Sequence, residues 1–544
     1  MGFTVGRICS TTYQGTAFGN SDFDEAQQKT LSDKLIVSKI EYQISKRSNR
    51  QCGHSFIQPT PSEAKSHLPI CELENYLSTH FKYPMSKFLT FRLSSEDAPL
   101  RLSLWFFLLC CALPVSGVWT TASGMGWPTY LQGTDIRPYY TGGALVLGGD
   151  GARLYDLDAQ WRAQQNAFPG LQNRADLLPF LAPPFVAAPM AILAMFSVRT
   201  AFLIWLACNW IFLALLTQRF AQVLAPSGRR AQIFVVVACI TCAPVFVTLL
   251  QGQWALVLAL SSFFAWQNLR ENRGFRGGLW ISLWLFKPQL LLLLLAVLLW
   301  KKQRRALAGF AAGSAVLGSV SLALIGFKGL ESYGQLLKTA SGWSNQFGVR
   351  PEAMYTWRGF LHNFSDQTNF WWWLGVLPML GVLAWSWRDA WPVESSEDKS
   401  SEVESSEVES REIEASKKPA TSSTRSARDT ELARFDACWA MTIFASLFCS
   451  PYLYYHDLTL LLVPVFLLAS AAQNSAALAS PRFKKVMLAL PVFGFVLFWV
   501  EFFFVGHTLG TVAPNVFFMA LCVAILALFV RNQGHLQGRV LRKF

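Results

Sequence analysis

Charged residues are scarce in this chain. Asp, Glu, Lys and Arg make up only 15% of its 544 residues, whereas 52% are hydrophobic, and a typical soluble domain is about one quarter charged. The motifs of soluble nucleotide and hydrolase chemistry are also missing, since there is no Walker loop, no HExxH and no nucleophile elbow. Soluble nucleotide chemistry is therefore unsupported, and an enzyme of this composition would need an activated substrate delivered by a lipid.

The cysteines and the net charge exclude two further classes. Cys239 and Cys242 have CxxC spacing, but they lie in an apolar segment, and no second pair follows at zinc-ligand spacing among the eleven cysteines. We predict no metal ion, no cofactor and no disulfide framework. The net charge of +13 comes with basic residues in short loops beside apolar segments, which is the positive-inside pattern. The predicted partner is a lipid bilayer and not a nucleic acid.

Long apolar segments repeat along most of the chain. About 20 apolar residues cross a bilayer as a helix, and the first such segment lies at about 101–120. The predicted fold class is an all-α polytopic membrane protein with about 10–12 transmembrane helices. The later apolar segments lie at about 180–197, 200–218, 231–250, 254–269, 278–300, 306–326, 369–387, 433–450, 456–472, 484–505 and 511–530.

Composition divides the chain into four regions. Residues 1–100 are polar and contain no signal-peptide core. They are either a disordered cytosolic extension or the product of a misplaced start, with Met85 as the alternative first residue. The other regions are a membrane region (101–388) with a long external loop (121–179), a Ser- and Glu-rich disordered cytosolic insert (389–432) and a C-terminal transmembrane region (433–544).

Lysine and arginine clusters predict the orientation. The cluster at 301–305 and the C-terminal tail are expected in the cytosol, which places the loop 121–179 outside. The segment 278–300 has basic clusters at both ends, and a single crossing cannot leave both in the cytosol. We favour a re-entrant hairpin with its apex at Lys287-Pro288, because proline breaks a helix. A segment at 180–197 that also fails to cross would resolve a similar conflict; the alternative is twelve simple crossings with two basic loops outside.

A polar stretch with one carboxylate follows the first span. It reads Gly133-Thr134-Asp135-Ile136-Arg137-Pro138-Tyr139-Tyr140. A carboxylate at a water–lipid boundary can act as a general base on a hydroxyl, which makes Asp135 the candidate catalytic residue. Arg137 is a candidate for phosphate binding, and Tyr139 and Tyr140 for substrate binding. The alternatives for Asp135 are a helix cap and a surface ion pair with Arg137.

Two further motifs place ionisable side chains near the membrane. Lys287 lies inside an apolar run, where a lysine is unfavourable and is therefore a functional candidate. Its ammonium group suits a phosphate, although it could instead reach a nearby interface. His456 and Asp457 follow a proline and several tyrosines. His456 is a candidate for an anionic group and Asp457 for substrate, while the alternative is an aromatic belt with a capping aspartate.

Amide and guanidinium groups supply the remaining candidates for substrate binding. Gln251 and Gln253 flank a glycine between two apolar segments, which suits a tight turn with hydrogen-bonding capacity. Arg350 and Arg358 lie in an outer stretch rich in Trp, Asn and Gln, which suits a glycan or a phosphate. The alternatives are a plain turn for the first pair and an interfacial loop for the second.

Taken in order, these motifs resemble glycosyltransferase family 87, of the GT-C class. The resemblance covers about residues 100–530, and it rests on the ordered set because no one motif decides it. The histidine motif departs from the family pattern, in which a His often precedes a Tyr-Asp pair. The matching motifs are Asp135 to Tyr140 with Leu154-Tyr155-Asp156, Leu181-Ala182-Pro183-Pro184-Phe185, Gln251-Gly252-Gln253, Phe286-Lys287-Pro288-Gln289-Leu290, and Ser450-Pro451 with His456-Asp457-Leu458.

The resemblance implies both a fold and an activity. The family includes polyprenol-phosphate-mannose-dependent α-mannosyltransferases, which implies a GT-C-type bundle, a polyprenyl-phosphate sugar donor, and inverting transfer to a lipid or glycan acceptor. The site would face outward from a cell membrane, which we expect to be a bacterial inner membrane. Asp135 falls where the family places its carboxylate base, and Lys287 and His456 fall at positions suited to the donor phosphate.

Two other classes stay open from the sequence. A transporter or flippase of lipid-linked sugar would show paired half-sequences with matching broken helices, and the chain contains no convincing internal repeat. A non-catalytic lipid-binding protein would bind polyprenyl phosphate without transferring a sugar.

Overall fold

The computed structural model describes most of the membrane region and parts of the C-terminal region. The predicted N-terminal region with Met85 and the first span lie outside the described residues, as does most of the insert. The described residues are 122–224, 229–365, 368–388, 390–391, 422–474 and 509–541, with short stretches between 485 and 500.

The described residues form helices and no strand. Because the only regular structure in these ranges is helical, the predicted all-α fold class is confirmed. The α-helices are α1 (Trp127–Gln132), α2 (Ile136–Leu147), α3 (Leu157–Ala167), α4 (Ala187–Leu193), α5 (Val198–Val223), α6 (Arg229–Ile240), α7 (Ala243–Gln251), α8 (Ala255–Arg270), α9 (Gly274–Ser282), α10 (Pro288–Trp300), α11 (Arg304–Ala340), α12 (Trp357–His362), α13 (Asn369–Trp387), α14 (Ser422–Cys449), α15 (Leu462–Asn474) and α16 (Leu509–Leu541). Short 3-10 helices lie at Gly151–Arg153, Arg174–Asp176, Pro184–Val186, Leu283–Phe286, Pro351–Ala353 and Tyr455–Leu461.

Five of the described helices are long and apolar enough to cross a membrane. They are α5, α11, α13, α14 and α16, and they make the chain a multi-pass membrane protein. Helix α14 lies deepest, with 89% of its most apolar window buried against the rest of the chain. The apolar helical stretch Pro184–Leu193 is much shorter. It rises only about 15 Å, which fits the expectation that this segment does not cross.

The predicted hairpin is confirmed as a chain path. Helix α9 and the 3-10 helix Leu283–Phe286 run to Lys287, whose φ of −133° and ψ of 75° interrupt the helix, and α10 then starts at Pro288. Proline suits a helix start because its missing N–H would have no partner there. Glycine Gly274 packs against Arg305, with 3.0 Å between a Cβ placed on the glycine and the Cβ of the arginine. Both basic ends of the hairpin therefore lie together.

Glycines allow α9 and α11 to pack closely. A Cβ on Gly278 would overlap the Ala306 carbonyl and lie 2.6 Å from the backbone N of Phe310. On the α11 side, Gly309 meets the backbone of Phe275 in the same way. Since no side chain separates the two backbones, this contact fixes the first arm of the hairpin against a candidate membrane span.

Replacing Gly278 with alanine is expected to destabilise the protein by about 3 kcal/mol, because the methyl group must displace backbone atoms. The matched control is Gly318→Ala on α11, where a Cβ meets nothing within 4 Å. That control should be neutral or slightly stabilising, since alanine favours a helix over glycine by about 1 kcal/mol. Thermal unfolding of both variants in detergent measures the difference, and equal melting temperatures would contradict the close contact.

The predicted external loop 121–179 contains three α-helices rather than irregular chain. Helix α2 occupies its centre, and Gly143 of α2 packs directly on the backbone of Met190 in α4. Two buried glutamines also tie α3 to the segment that follows it: Gln160 accepts a hydrogen bond from the backbone N of Phe180 at 2.7 Å, and Gln164 donates to the carbonyl of Leu178 at 2.5 Å. The region is thus a folded cap that positions the N-terminus of α2.

Two predicted segment boundaries differ from the structure. The predicted span 231–250 is two helices, α6 and α7, which meet at Thr241 and Cys242. Pro244 lies in the first turn of α7, where it ends the preceding helix because proline cannot donate a backbone hydrogen bond. Helix α14 begins at Ser422, inside the range predicted as the insert 389–432.

Candidate functional site

Four segments that are far apart in the sequence meet at one place. They are the N-terminus of α2, the turn after α7, the apex of the hairpin, and the 3-10 helix Tyr455–Leu461. Each brings at least one polar side chain to this place. The predicted candidates brought together there are Asp135, Tyr139, Gln251, Gln253, Lys287, His456 and Asp457.

Asp135 occupies the N-cap position of α2 but does not cap it. Its side chain makes no capping hydrogen bond. Its Oδ2 instead accepts a 2.7 Å hydrogen bond from Nε2 of Gln253, and its backbone N–H donates to Oε1 of Gln251 at 3.1 Å. The side chain is 35% exposed, so water or a ligand can reach it. The helix-cap alternative is therefore wrong, because the carboxylate faces across to another segment.

Tyr139 fixes the orientation of Gln253. The Tyr139 hydroxyl donates to Oε1 of Gln253 at 3.3 Å, which leaves the amide nitrogen of Gln253 facing Asp135. Burial raises the pKa of Tyr139 well above its usual value, and the charges of Asp135 and Asp457 act in the same direction. The tyrosine therefore keeps its proton and remains a donor. A chain of two hydrogen bonds holds the Asp135 carboxylate in place.

A buried ion pair lies on the other side of Asp135. Nδ1 of His456 is 3.8 Å from Oδ2 of Asp135, and Nε2 of the same ring is 3.3 Å from Oδ1 of Asp457. That Asp457 oxygen also accepts from Nζ of Lys287, while its other oxygen accepts from the backbone N of Tyr454 at 3.2 Å. The charged row is thus Asp135, His456, Asp457 and Lys287. Because Asp457 holds three protein groups, the structure makes it a partner of Lys287 and His456.

Aromatic rings form one wall of the site. Tyr139, Trp254 and Phe286 lie with ring centroids 5.6–6.4 Å apart, and Phe286 precedes Lys287 directly. The buried indole nitrogen of Trp254 has no hydrogen-bond partner among the described residues. Aromatic faces of this kind stack on apolar or cationic surfaces. We did not predict Trp254 or Phe286 as site residues, although each is adjacent in sequence to one that we did.

Arg137 and Tyr140 make contacts within the cap. Nη2 of Arg137 donates to the backbone carbonyl of Asp176 at 2.6 Å, so the alternative of an ion pair between Arg137 and Asp135 is not what the structure contains. Burial lowers the pKa of the Arg137 guanidinium to about 10, against the opposing effect of the nearby carboxylates. The Tyr140 hydroxyl donates to the carbonyl of Phe196 at 2.9 Å. Their predicted contacts with substrate stay predictions.

The predicted outer stretch reaches the site through Tyr454. The Tyr454 hydroxyl accepts from the backbone N of Arg350 at 3.1 Å and donates to the carbonyl of Gly348 at 3.3 Å. Its ring lies 6.2 Å from the His456 ring. Arg358 is half-buried, and its Nε has no hydrogen-bond partner in the part of the chain that the structure describes. Tyr454, which we did not predict as a site residue, thus joins this loop to the charged row.

The model of glycosyltransferase family 87 matches residues 180–401 of the chain. The predicted resemblance is therefore confirmed, and the protein is a glycosyltransferase. Within the matched range lie the Gln251–Gln253 turn and Lys287, while Asp135 and His456 lie on either side of it. Neither a curated protein nor a solved structure matches the chain.

The described part of the site has few groups that suit a metal ion. No group of three or more His, Cys, Asp or Glu side chains that could hold a metal ion occurs among the described residues. The ammonium group of Lys287 supplies a positive charge at one end of the row. The residues themselves provide the accessible carboxylate of Asp135 at one end of the row and the ammonium group of Lys287 at the other.

Replacing Gln253 with leucine in this glycosyltransferase is expected to lower kcat by about tenfold to a hundredfold, because a hydrogen bond to a charged group contributes about 1.5–3 kcal/mol. KM should change little, since the lost bond orients Asp135 and holds no substrate. Steady-state kinetics measure the separation of kcat from KM. The matched control is Gln335→Leu, an exposed glutamine on α11, which should leave both constants unchanged. A rise in KM alone would mean that Gln253 binds substrate.

Proposed function

We propose that the protein transfers a hexose from a polyprenyl-phosphate donor to a hydroxyl of a lipid or glycan acceptor, with inversion at the anomeric carbon. The family resemblance favours mannose as the sugar. The observation that carries the proposal is the row from Asp135 to Lys287, which has an accessible carboxylate at one end and a cation at the other, with an imidazole ring and a second carboxylate between them. A base and a phosphate-binding group at such a separation are the two ends that a glycosyl transfer needs.

Asp135 is proposed as the general base. Its carboxylate is 35% exposed and accepts a hydrogen bond from Gln253. The oxygens retain free lone pairs, because an ionised carboxylate accepts about four hydrogen bonds in all. An acceptor hydroxyl bound there would donate to Asp135 and lose its proton as its oxygen attacks the anomeric carbon.

Lys287 is proposed to hold the phosphate of the donor. An ammonium group has three N–H donors, and Asp457 accepts one of them, so the others are available to phosphate oxygens. His456 stands between the two ends and can donate to the same phosphate when protonated. Positive charge placed where negative charge develops stabilises the transition state of the transfer.

The proposed step balances in atoms and charge. The bond between the anomeric carbon and the phosphate oxygen breaks, and a bond from the acceptor oxygen to that carbon forms. The acceptor proton passes to Asp135, and the electron pair of the broken bond leaves with polyprenyl phosphate beside Lys287. Because the acceptor and the phosphate lie on opposite sides of the sugar in this arrangement, the configuration inverts.

The location of the site is part of the proposal. The basic residues at 301–305 lie with Gly274 at the base of the hairpin, and Lys287 lies at its apex. With the base in the cytosol, as the positive-inside rule predicts, the apex points toward the outer face. We therefore propose an extracytoplasmic site in a cell membrane, and a bacterial inner membrane as that membrane.

The test is a transfer assay with purified protein. The protein is incubated with radiolabelled polyprenyl-phosphate sugars, mannose among them, and a membrane lipid extract, and the labelled product is identified. Label in a lipid or glycan product supports the proposal, and its anomeric configuration tests inversion. Release of free sugar alone, or movement of label across a vesicle membrane without a new glycosidic bond, would overturn it.

A further inference from the structure

An apolar cleft lies between α6 and α15, beside the end of the 3-10 helix that carries His456 and Asp457. Its volume is about 150 Å³, many times the space that one water molecule needs. One wall comes from α6, with Ala238 and Cys239, and the opposite wall from α15, with Val465 and Ala469. Space of this size inside a packed bundle is unusual, because protein interiors rarely leave voids larger than a water molecule.

Three helices that contribute to the site or lie beside it also line the cleft. Leu461 lines the cleft and follows Asp457 by four residues of the same 3-10 helix, a rise of about 8 Å. Cys242 lines it nine residues before Gln251 along α7, a rise of about 13 Å. Phe220 marks its far end, since it lies fifteen residues beyond Trp205 on α5, or about 22 Å, and the Trp205 indole donates to Gly252 beside the site. The cleft thus begins about 8 Å from the charged row and continues away from it toward Phe220.

The chemistry of the cleft suits a hydrocarbon. None of its lining residues is charged. The Thr241 hydroxyl, which is among them, already donates to the carbonyl of Val237 at 2.7 Å. A polar ligand would lose its hydrogen bonds with water in such a cleft and gain none in return. A chain of saturated or isoprenoid carbons loses nothing there.

We propose that the cleft holds the isoprenoid chain of the donor lipid. This inference rests on the proposed function, in which Lys287 and His456 hold the donor phosphate. The chain of the donor is bonded to that phosphate, and the cleft begins on the 3-10 helix that carries His456 and Asp457. The gap of about 8 Å is more than one isoprene unit can bridge, so the cleft acts on units beyond the first.

The test fills the cleft from each wall in turn. Ala238→Phe on α6 and Ala469→Phe on α15 add a ring to a half-buried alanine without removing a buried side chain. Ala312→Phe, at an exposed position of α11, is the matched control. Each protein is assayed with a long polyprenyl-phosphate sugar and with a citronellyl-phosphate sugar, whose two isoprene units end near the mouth of the cleft.

The expected result depends on chain length. The KM for the long donor should rise about tenfold or more in the two cleft variants, a change of about 1.4 kcal/mol, while KM for the citronellyl donor stays at the value of the wild type. The control should match the wild type with both donors. Thermal unfolding supplies a second measurement, because long-chain polyprenyl phosphate should raise the Tm of the wild type by more than that of either cleft variant.

Other outcomes separate this inference from the proposed function. Equal effects on long and short donors, or none on either, would overturn the inference while transfer itself persists. A higher KM for the acceptor, with donor KM unchanged, would assign the cleft to the chain of the acceptor and also overturn it. Failure of the wild type to transfer sugar from any polyprenyl-phosphate donor would overturn the proposed function instead.

Discussion

Replacing Asp135 with asparagine is expected to lower kcat by about a thousandfold. General-base catalysis contributes roughly 10²- to 10⁴-fold, and the amide cannot accept the proton of the attacking hydroxyl. The substitution keeps the size of the side chain. It also keeps an oxygen that can accept the hydrogen bond from Nε2 of Gln253, which is 2.7 Å long in the wild type. The fold should therefore survive. Steady-state transfer from a purified polyprenyl-phosphate sugar measures the loss.

The control for Asp135 is Asp150→Asn. Asp150 is exposed and lies in the same cap, after the end of α2. Its replacement removes the same charge and should leave kcat within twofold of the wild type. A folded and membrane-inserted Asp135→Asn protein with normal turnover would show that another group takes the proton, and His456, 3.8 Å away, would be the next candidate.

Replacing Lys287 with methionine should have two separate effects. Loss of the group that faces the leaving phosphate should lower kcat by about 10²- to 10³-fold. The Asp457 carboxylate, which is 3% exposed, would also lose its charged partner. An unpaired buried charge destabilises a protein by about 3–5 kcal/mol, so a lower melting temperature in detergent should accompany the loss of activity.

A double variant separates these two effects. Lys287→Met combined with Asp457→Asn removes both charges of the pair, so it should recover much of the stability but none of the activity. Lys338→Gln, an exposed lysine near the end of α11, serves as the charge-matched control. Recovery of turnover in the double variant would mean that Lys287 supports the fold and does not act on the donor.

The helical fold and the hairpin followed from local sequence. Apolar runs predicted the long helices, and the proline after Lys287 with basic clusters at 270–276 and 301–305 predicted a chain reversal. The helical content of the loop 121–179 did not follow. Gly142 and Gly143 weaken a helix locally, and their value appears only in the tertiary structure, where Gly143 meets the backbone of Met190.

Part of the candidate site could be predicted from the sequence. The chemistry of isolated polar residues in an apolar chain singled out Asp135, Lys287 and His456. Their mutual contacts were not predictable, because Lys287 and Asp457 are 170 positions apart and pair only when the hairpin apex meets the 3-10 helix. Likewise Gln253 and Tyr139 were predicted to bind substrate, whereas the structure pairs them with Asp135 and with each other.

The pairing of Lys287 with Asp457 has a consequence for the end of each catalytic cycle. On the proposed mechanism, the spent lipid phosphate leaves from the same ammonium group that Asp457 contacts. The carboxylate is a permanent competitor for that ammonium at high effective concentration, because it is part of the same chain. It weakens the hold on the spent lipid and neutralises the lysine after departure. Asp457 would thereby limit inhibition by accumulated polyprenyl phosphate.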